Sequence, residues 1–180
     1  GASFTIDELG YLGDRWVVGA HASVAKAFCD YNEDCVMNAS CPPGIDPPAE
    51  DATDGVAHMQ FVKRPYLYIC SGGLLANSAN QPYFLTANHC LSSDRVAGTL
   101  EAYFNYEVDC GDSCPAQWSK PATPRTLGAT VVATNKTGDF TLLRLSEPAP
   151  AGTAGIGWNA TPIAATNGAA LYRISHPSGA

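Results

Sequence analysis

Two short segments of this chain could carry chemistry. The first is Tyr83-Phe84-Leu85-Thr86-Ala87-Asn88-His89-Cys90, where an apolar stretch runs into a small residue, an asparagine, a histidine and a cysteine. A histidine placed there sits at a strand end with its backbone held by the strand, and the cysteine at its flank offers a disulfide pin. A general base needs such placement, because its ring nitrogen must keep hydrogen-bond geometry of about 2.6–3.2 Å to a nucleophile. Fifty residues on comes Thr137-Gly138-Asp139-Phe140-Thr141-Leu142-Leu143, in which one acidic residue opens an apolar strand. A buried carboxylate is costly unless it is paired, and His89 is the natural partner for Asp139. A carboxylate on one imidazole nitrogen fixes the tautomer and leaves the other nitrogen to accept a proton. Each motif alone reads more often as structure than as catalysis: a histidine beside a cysteine is commonly packed, and an aspartate before a strand is commonly a turn residue. Together, and in this order, they are far more specific.

The elements that must position these residues are short. Apolar residues recur with period two or in brief runs bounded by Gly, Pro, Asn and Asp, which predicts strands at Arg15–Val18, Val56–Val62, Tyr66–Leu75, Tyr83–Ala87 and Leu100–Tyr106, then at Leu127–Ala133, Phe140–Leu145, Ile163–Ala165 and Ala169–Ile174. In the fifth of these, Leu100, Ala102, Phe104 and Tyr106 share one face. A helix is expected only around Val17–Cys29. The stretch from Cys41 to Gly55, with four prolines and four acidic residues, reads as a surface loop or nick-prone linker. The expected class is therefore all-β, a sandwich or a barrel.

Composition narrows the partners. The chain has 180 residues, enough for one ordinary domain or two small ones. Only 15% of them are charged, against roughly 25% in ordinary globular chains. Its 17 acidic and 10 basic residues leave a net charge of −7, a field that repels phosphate backbones, so no nucleic acid is expected as a partner. No apolar run of about 18 residues occurs, so no membrane-spanning helix is expected. The first residues, with Asp7 and Glu8, do not form a signal peptide, which fits a mature secreted chain. Seven cysteines at irregular spacing point to a disulfide framework in an oxidising compartment. Cys110 and Cys114 make the only close pair, and structural zinc would need a second. Seven is odd, so one thiol is free or bonds outside this chain. Sequons at Asn38, Asn135 and Asn159 are compatible with secretion and carry no further weight.

With these residues in view, the sequence resembles the trypsin-like (chymotrypsin-fold) serine proteases, and within them the secreted bacterial lysyl endopeptidase branch. The resemblance rests on Cys70-Ser71-Gly72-Gly73-Leu74-Leu75, on Phe84-Leu85-Thr86-Ala87-Asn88-His89-Cys90 and on Asp139-Phe140-Thr141-Leu142-Leu143. Phe104-Asn105-Tyr106, Gly157-Trp158-Asn159 and Ser175-His176-Pro177 fit the same branch. It covers roughly residues 35 to 180. The family segment T-A-x-H-C is matched with Asn88 in its variable place. The resemblance implies a double β-barrel, the first barrel complete and the second only begun. It divides the chain into residues 1–34, an N-terminal extension or pro-segment remnant; 35–150, the first barrel; and 151–180, the start of the second.

It implies His89 as general base and Asp139 as its orienting carboxylate in a secreted serine endopeptidase. The family's nucleophile segment, G-[DS]-S-G-[SG]-P, does not occur. Ser71 precedes the histidine and is implied to be structural, while Ser175 and Ser178 lack the flanking glycines. The expectation is therefore the N-terminal piece of a two-chain enzyme nicked after Ala180. A C-terminal fragment would supply the serine, the oxyanion hole and the primary specificity pocket, and a protein or peptide would be the substrate. By the same resemblance Cys70 pairs with Cys90, Cys41 with Cys110, and Cys35 reaches across to the partner fragment; Cys29 and Cys114 have no counterpart in the branch, and pairing them is the option that remains. No metal or organic cofactor is implied. A zinc site from His89, Asp139 and His58 or His176 finds no support in spacing. The rival readings are an inactive homologue acting as a binding module and a secreted, disulfide-rich β-sandwich with adhesive or sugar-binding function.

Overall fold

The computed structural model describes residues 38–41, 52–107, 123–162, 166–169 and 171–176. Seven strands form one antiparallel sheet: β1 (Val56–Lys63), β2 (Tyr66–Leu74), β3 (Tyr83–Thr86), β4 (Glu101–Phe104), β5 (Arg125–Leu127), β6 (Ala129–Asn135) and β7 (Phe140–Leu145). One short helix, α1 (Asp94–Ala97), lies between β3 and β4. The chain is all-β in class, as its period-two pattern requires.

The sheet order, β5-β4-β1-β2-β3-β7-β6, places β5 and β6 at opposite ends. Yet only Gly128 separates them in sequence. Its N–H donates to the Leu100 carbonyl on one side, at 2.7 Å, and its carbonyl accepts from the Ser146 N–H on the other, at 3.0 Å. One bent strand thus serves both edges and curls the sheet round on itself. The bend needs a residue at φ +73, where a side chain would be strained, and glycine fills it. The sequence reading joined Leu127–Ala133 into a single strand; this corner divides it.

Inside the closed sheet, alternate residues meet. Ala57, Met59 and Phe61 of β1, Phe84 of β3, Ala102 and Phe104 of β4, and Leu143 and Leu145 of β7 are buried together with Leu91 and Leu100. Phe84 and Phe104 meet edge to face, with centroids 6.2 Å apart, a preferred geometry for aromatic pairs. Phe84 lies so close to β2 that a Cβ on Gly72 would stand 2.2 Å from its ring. The glycine in Ser71-Gly72-Gly73 therefore serves packing.

Three differences from the sequence reading stand out. Helix α1 is a single turn, too short for any periodic signal to develop. Within the expected strand Ala169–Ile174, the described residues 169 and 171–174 carry no strand. Leu171 is 74% and Tyr172 60% exposed, and without a neighbouring strand their alternation has no ladder to join. After β7 the only bridge among the described residues is a parallel one between Leu75 and Ile156. The expected elements at Arg15–Val18, Val17–Cys29 and Ile163–Ala165 lie outside the described residues, as do residues 42–51 of the proline-rich loop.

Candidate active site

His89 stands in the turn that ends β3. The strand is fixed on both flanks, by Gly73 and Leu74 of β2 and by Thr141 to Arg144 of β7. Beyond Thr86 the chain turns, with the Cys90 N–H donating to the Ala87 carbonyl at 3.2 Å. Leu91 plugs the core below. A disulfide joins Cys90 to Cys70 on β2, with 6.3 Å between their Cα atoms. From the end of β1, the Lys63 ammonium donates to the His89 carbonyl at 2.8 Å while lying over the Tyr68 ring. The turn is thus held on the strand side, the disulfide side and the hairpin side.

Asp139 closes the tight turn between β6 and β7. In that turn the Gly138 N–H donates to Asn135 Oδ1 at 2.7 Å. Asp139 itself has φ +48, the left-handed region that Asp and Asn tolerate better than most side chains. Because Thr86 pairs with Thr141, the residues just beyond that rung, His89 and Asp139, come together across the sheet rim. Asp139 Oδ1 accepts the His89 backbone N–H at 2.9 Å, and Oδ2 lies 2.7 Å from His89 Nδ1.

A carboxylate only accepts, so Nδ1 carries the proton and Nε2 presents a lone pair. Among the described residues nothing hydrogen-bonds Nε2. The His89 backbone N–H, its ring and the Asn88 backbone N–H hold the Asp139 carboxyl below the usual carboxylate range. Both side chains face solvent, 71% of the imidazole and 50% of the carboxylate being exposed.

The other candidates fall elsewhere. Ser71 Oγ accepts the His176 backbone N–H at 2.8 Å and lies 3.4 Å from His176 Nδ1, whose ring is held on its other side by the Tyr106 carbonyl at 3.1 Å from Nε2. His58, fully buried in β1, stacks on Tyr106 with centroids 4.7 Å apart and meets the His176 ring edge-on at 5.4 Å. Burial, with His176 nearby, pushes His58 down to about 3; burial likewise pushes His176 down to about 4. Neither imidazole is placed with His89 and Asp139. Cys70 and Cys90 offer sulfur beside His89, but both sulfurs are spent in the disulfide and neither is a thiolate ligand. Cys41 is disulfide-bonded as well. Cys29, Cys35, Cys110, Cys114 and Ser178 lie outside the described residues, and with them the expected Cys41–Cys110, Cys29–Cys114 and Cys35 bridges.

Sequence reasoning passed over Lys63 and the threonines at 134 and 141. Lys63 lies far from the motif in sequence, and its role depends on where a hairpin ends. Asn135 and Asn159, read as sequons, each fold their side-chain oxygen onto a nearby backbone N–H, a turn role that Asn fills by itself.

An all-β barrel that presents an imidazole oriented by a carboxylate is an arrangement used by serine hydrolases. Comparison with known proteins gives the family. The model for the lysyl endopeptidase C-terminal domain matches residues 29–180, and the chain belongs to that family. It is 36% identical over 152 residues to the lysyl endopeptidase of Pseudomonas aeruginosa. That match takes in 81% of this chain and spans 32% of the relative's length. Among solved structures, a thermostable serine protease from an extremophilic microorganism aligns at 15% identity with a TM-score of 0.36, over 57% of this chain and 46% of that one.

Proposed function

We propose that this chain supplies the general base and the orienting carboxylate of a serine endopeptidase, and that a further polypeptide supplies the nucleophile. The observation that carries the reading is the two-point grip of Asp139 on His89, which leaves Nε2 as the one ring nitrogen able to take a proton. In the reaction, a serine Oγ attacks the peptide carbonyl carbon as its proton passes to His89 Nε2. The tetrahedral intermediate collapses as that proton moves to the leaving amine nitrogen, giving an acyl-enzyme. Water then repeats the sequence, delivering a proton to His89 and a hydroxyl to the acyl carbon. Asp139 stays ionised throughout and stabilises the imidazolium.

In this reading residues 35–150 form the half that bears the base. Residues 1–34 are an extension, and 151–180 lead toward a second barrel. The chain spans about a third of its curated relative, which leaves room for a C-terminal part carrying the serine, the oxyanion amides and the specificity pocket. The exposure of the His89–Asp139 pair supports a partner over it; Cys35 is the proposed link. The family description supports lysyl bonds as substrate, and the disulfides support an extracellular site.

The test is fluorophosphonate labelling of the active preparation, with masses read before and after reduction. The label should fall on a serine outside residues 1–180 and be lost in His89→Ala, where turnover drops by on the order of 10⁶. Label on Ser71 or any other serine of this chain would overturn the reading.

A further inference from the structure

His89 is so exposed that packing does little to hold its ring; hydrogen bonds must set the angle at which it meets Asp139. Those on Asp139 are in place, but they come from one side. The residue that fastens the two turns to each other is Asn88. Its backbone N–H adds to the forces that hold the Asp139 carboxyl low, after those of His89. Its side-chain amide donates to Thr134 Oγ1 at 2.8 Å. Thr134 lies at the end of β6, directly opposite Thr141 of β7, and the two hydroxyls are 2.7 Å apart. Thr141 is fully buried, so the contact ties the exposed rim to the packed floor of the hairpin. The carboxamide bond to Thr134 stands beside the bonds of His89 to Asp139, and a second tie fixes an orientation where one tie would leave a pivot.

We propose that Asn88 is a positioning residue of the candidate active site, and that its carboxamide, seated on the Thr134–Thr141 pair, locks the His89 turn to the Asp139 turn. The inference rests on the His89–Asp139 reading and adds to it the device that keeps the pair in register. Asn suits the place because it reaches Thr134 with a donor and brings no charge next to the carboxylate. Alanine there would lose the clamp.

The test reads the Asp139 carboxyl directly, by ¹³C NMR titration of the chain in wild type and variants, with thermal melting alongside. His89→Ala sets the scale by raising the Asp139 titration toward the ordinary carboxylate range. Asn88→Ala and Thr134→Val should each raise it part of the way, with a change in proton affinity of roughly two- to threefold. The double variant should add little to either single one, because both break the same link. Thr134→Ser, which keeps the hydroxyl, should restore the wild-type titration. If the bonds were merely structural, the variants would melt earlier with the Asp139 titration unmoved; that outcome overturns the clamp and leaves the pair standing. If His89→Ala also fails to move Asp139, the pair itself fails and the clamp with it.

Discussion

The molecule holds two histidine sites built on opposite principles. At the rim, His89 is exposed and gripped by a carboxylate. Behind the sheet, His58 and His176 are packed with Tyr106 and Ser71. The Asp139 carboxylate fixes the imidazole by its Nδ1 and leaves Nε2 open to solvent, as the proposed proton transfer requires. Burial disfavours a charged imidazolium, and so suits residues whose task is to stay neutral and fill space. On the proposed function, exposure separates chemistry from structure here more than residue type does. The same contrast holds for the serines: Ser71 is engaged at its hydroxyl by the His176 backbone and so works as a fastener.

The comparison breaks most sharply at Asp139. Asp139→Asn keeps the shape but presents a donor where an acceptor is needed, so Nδ1 loses its proton acceptor and the imidazole favours the other tautomer. In the active enzyme turnover should fall by about 10⁴. Stability should hardly change, because the side chain is half exposed and the exchange is local. Steady-state kinetics paired with a denaturant melt would check this. A large loss of stability with intact turnover would exchange the roles assigned to the two sites.

The buried site makes the reverse prediction, loss of stability without chemistry. In the folded chain His58 and His176 titrate near about 3 and about 4, well below the ordinary value near 6.5. The unfolded chain therefore binds protons first as pH falls, and stability drops from pH 6.5 down to about 3. At pH 4 the loss should be of order 2–6 kcal/mol. Among the ring neighbours of the pair, Tyr103 and Tyr106 titrate, both raised by burial and neutral throughout this window. Urea melts between pH 7 and pH 4 would measure the slope, and His58→Leu should flatten it. An unchanged slope in that variant would place the acid sensitivity elsewhere.

Much of the rim site was legible because its signals are local. Thr86-Ala87-Asn88-His89-Cys90 marks the place where a strand gives way to a turn, and Asp139 marks the place where a turn gives way to a strand. Closure of the sheet was not legible, because it depends on one glycine at φ +73 inside what reads as a single strand. Gly72 and Gly73 look alike in sequence, yet Gly72 makes room for Phe84 and Gly73 for Ile156, whose carbons would crowd a Cβ at 2.2 and 3.0 Å respectively. The apolar residues at 169–174 misled for the opposite reason. Alternation records which faces differ, but a strand exists only if another strand lies beside it, and the described segment has none.

Lys63 offers the gentlest probe of the comparison. Its ammonium donates to the His89 carbonyl from outside the carboxylate grip, and it sits over Tyr68 with its charge 5.6 Å from the ring centre. Lys63→Met keeps the length of the side chain and its contact with Tyr68 but removes the donor. The carbonyl it leaves can be rehydrated, since the bond is exposed, so the stability lost should be under about 1 kcal/mol. If the His89 turn is held chiefly by the strand, the disulfide and Asp139, turnover should fall no more than about threefold, with KM unchanged. A tenfold or larger loss would mean that the rim depends on this single exposed tie, and that hydrogen bonds from β1 position the base as strongly as the carboxylate does.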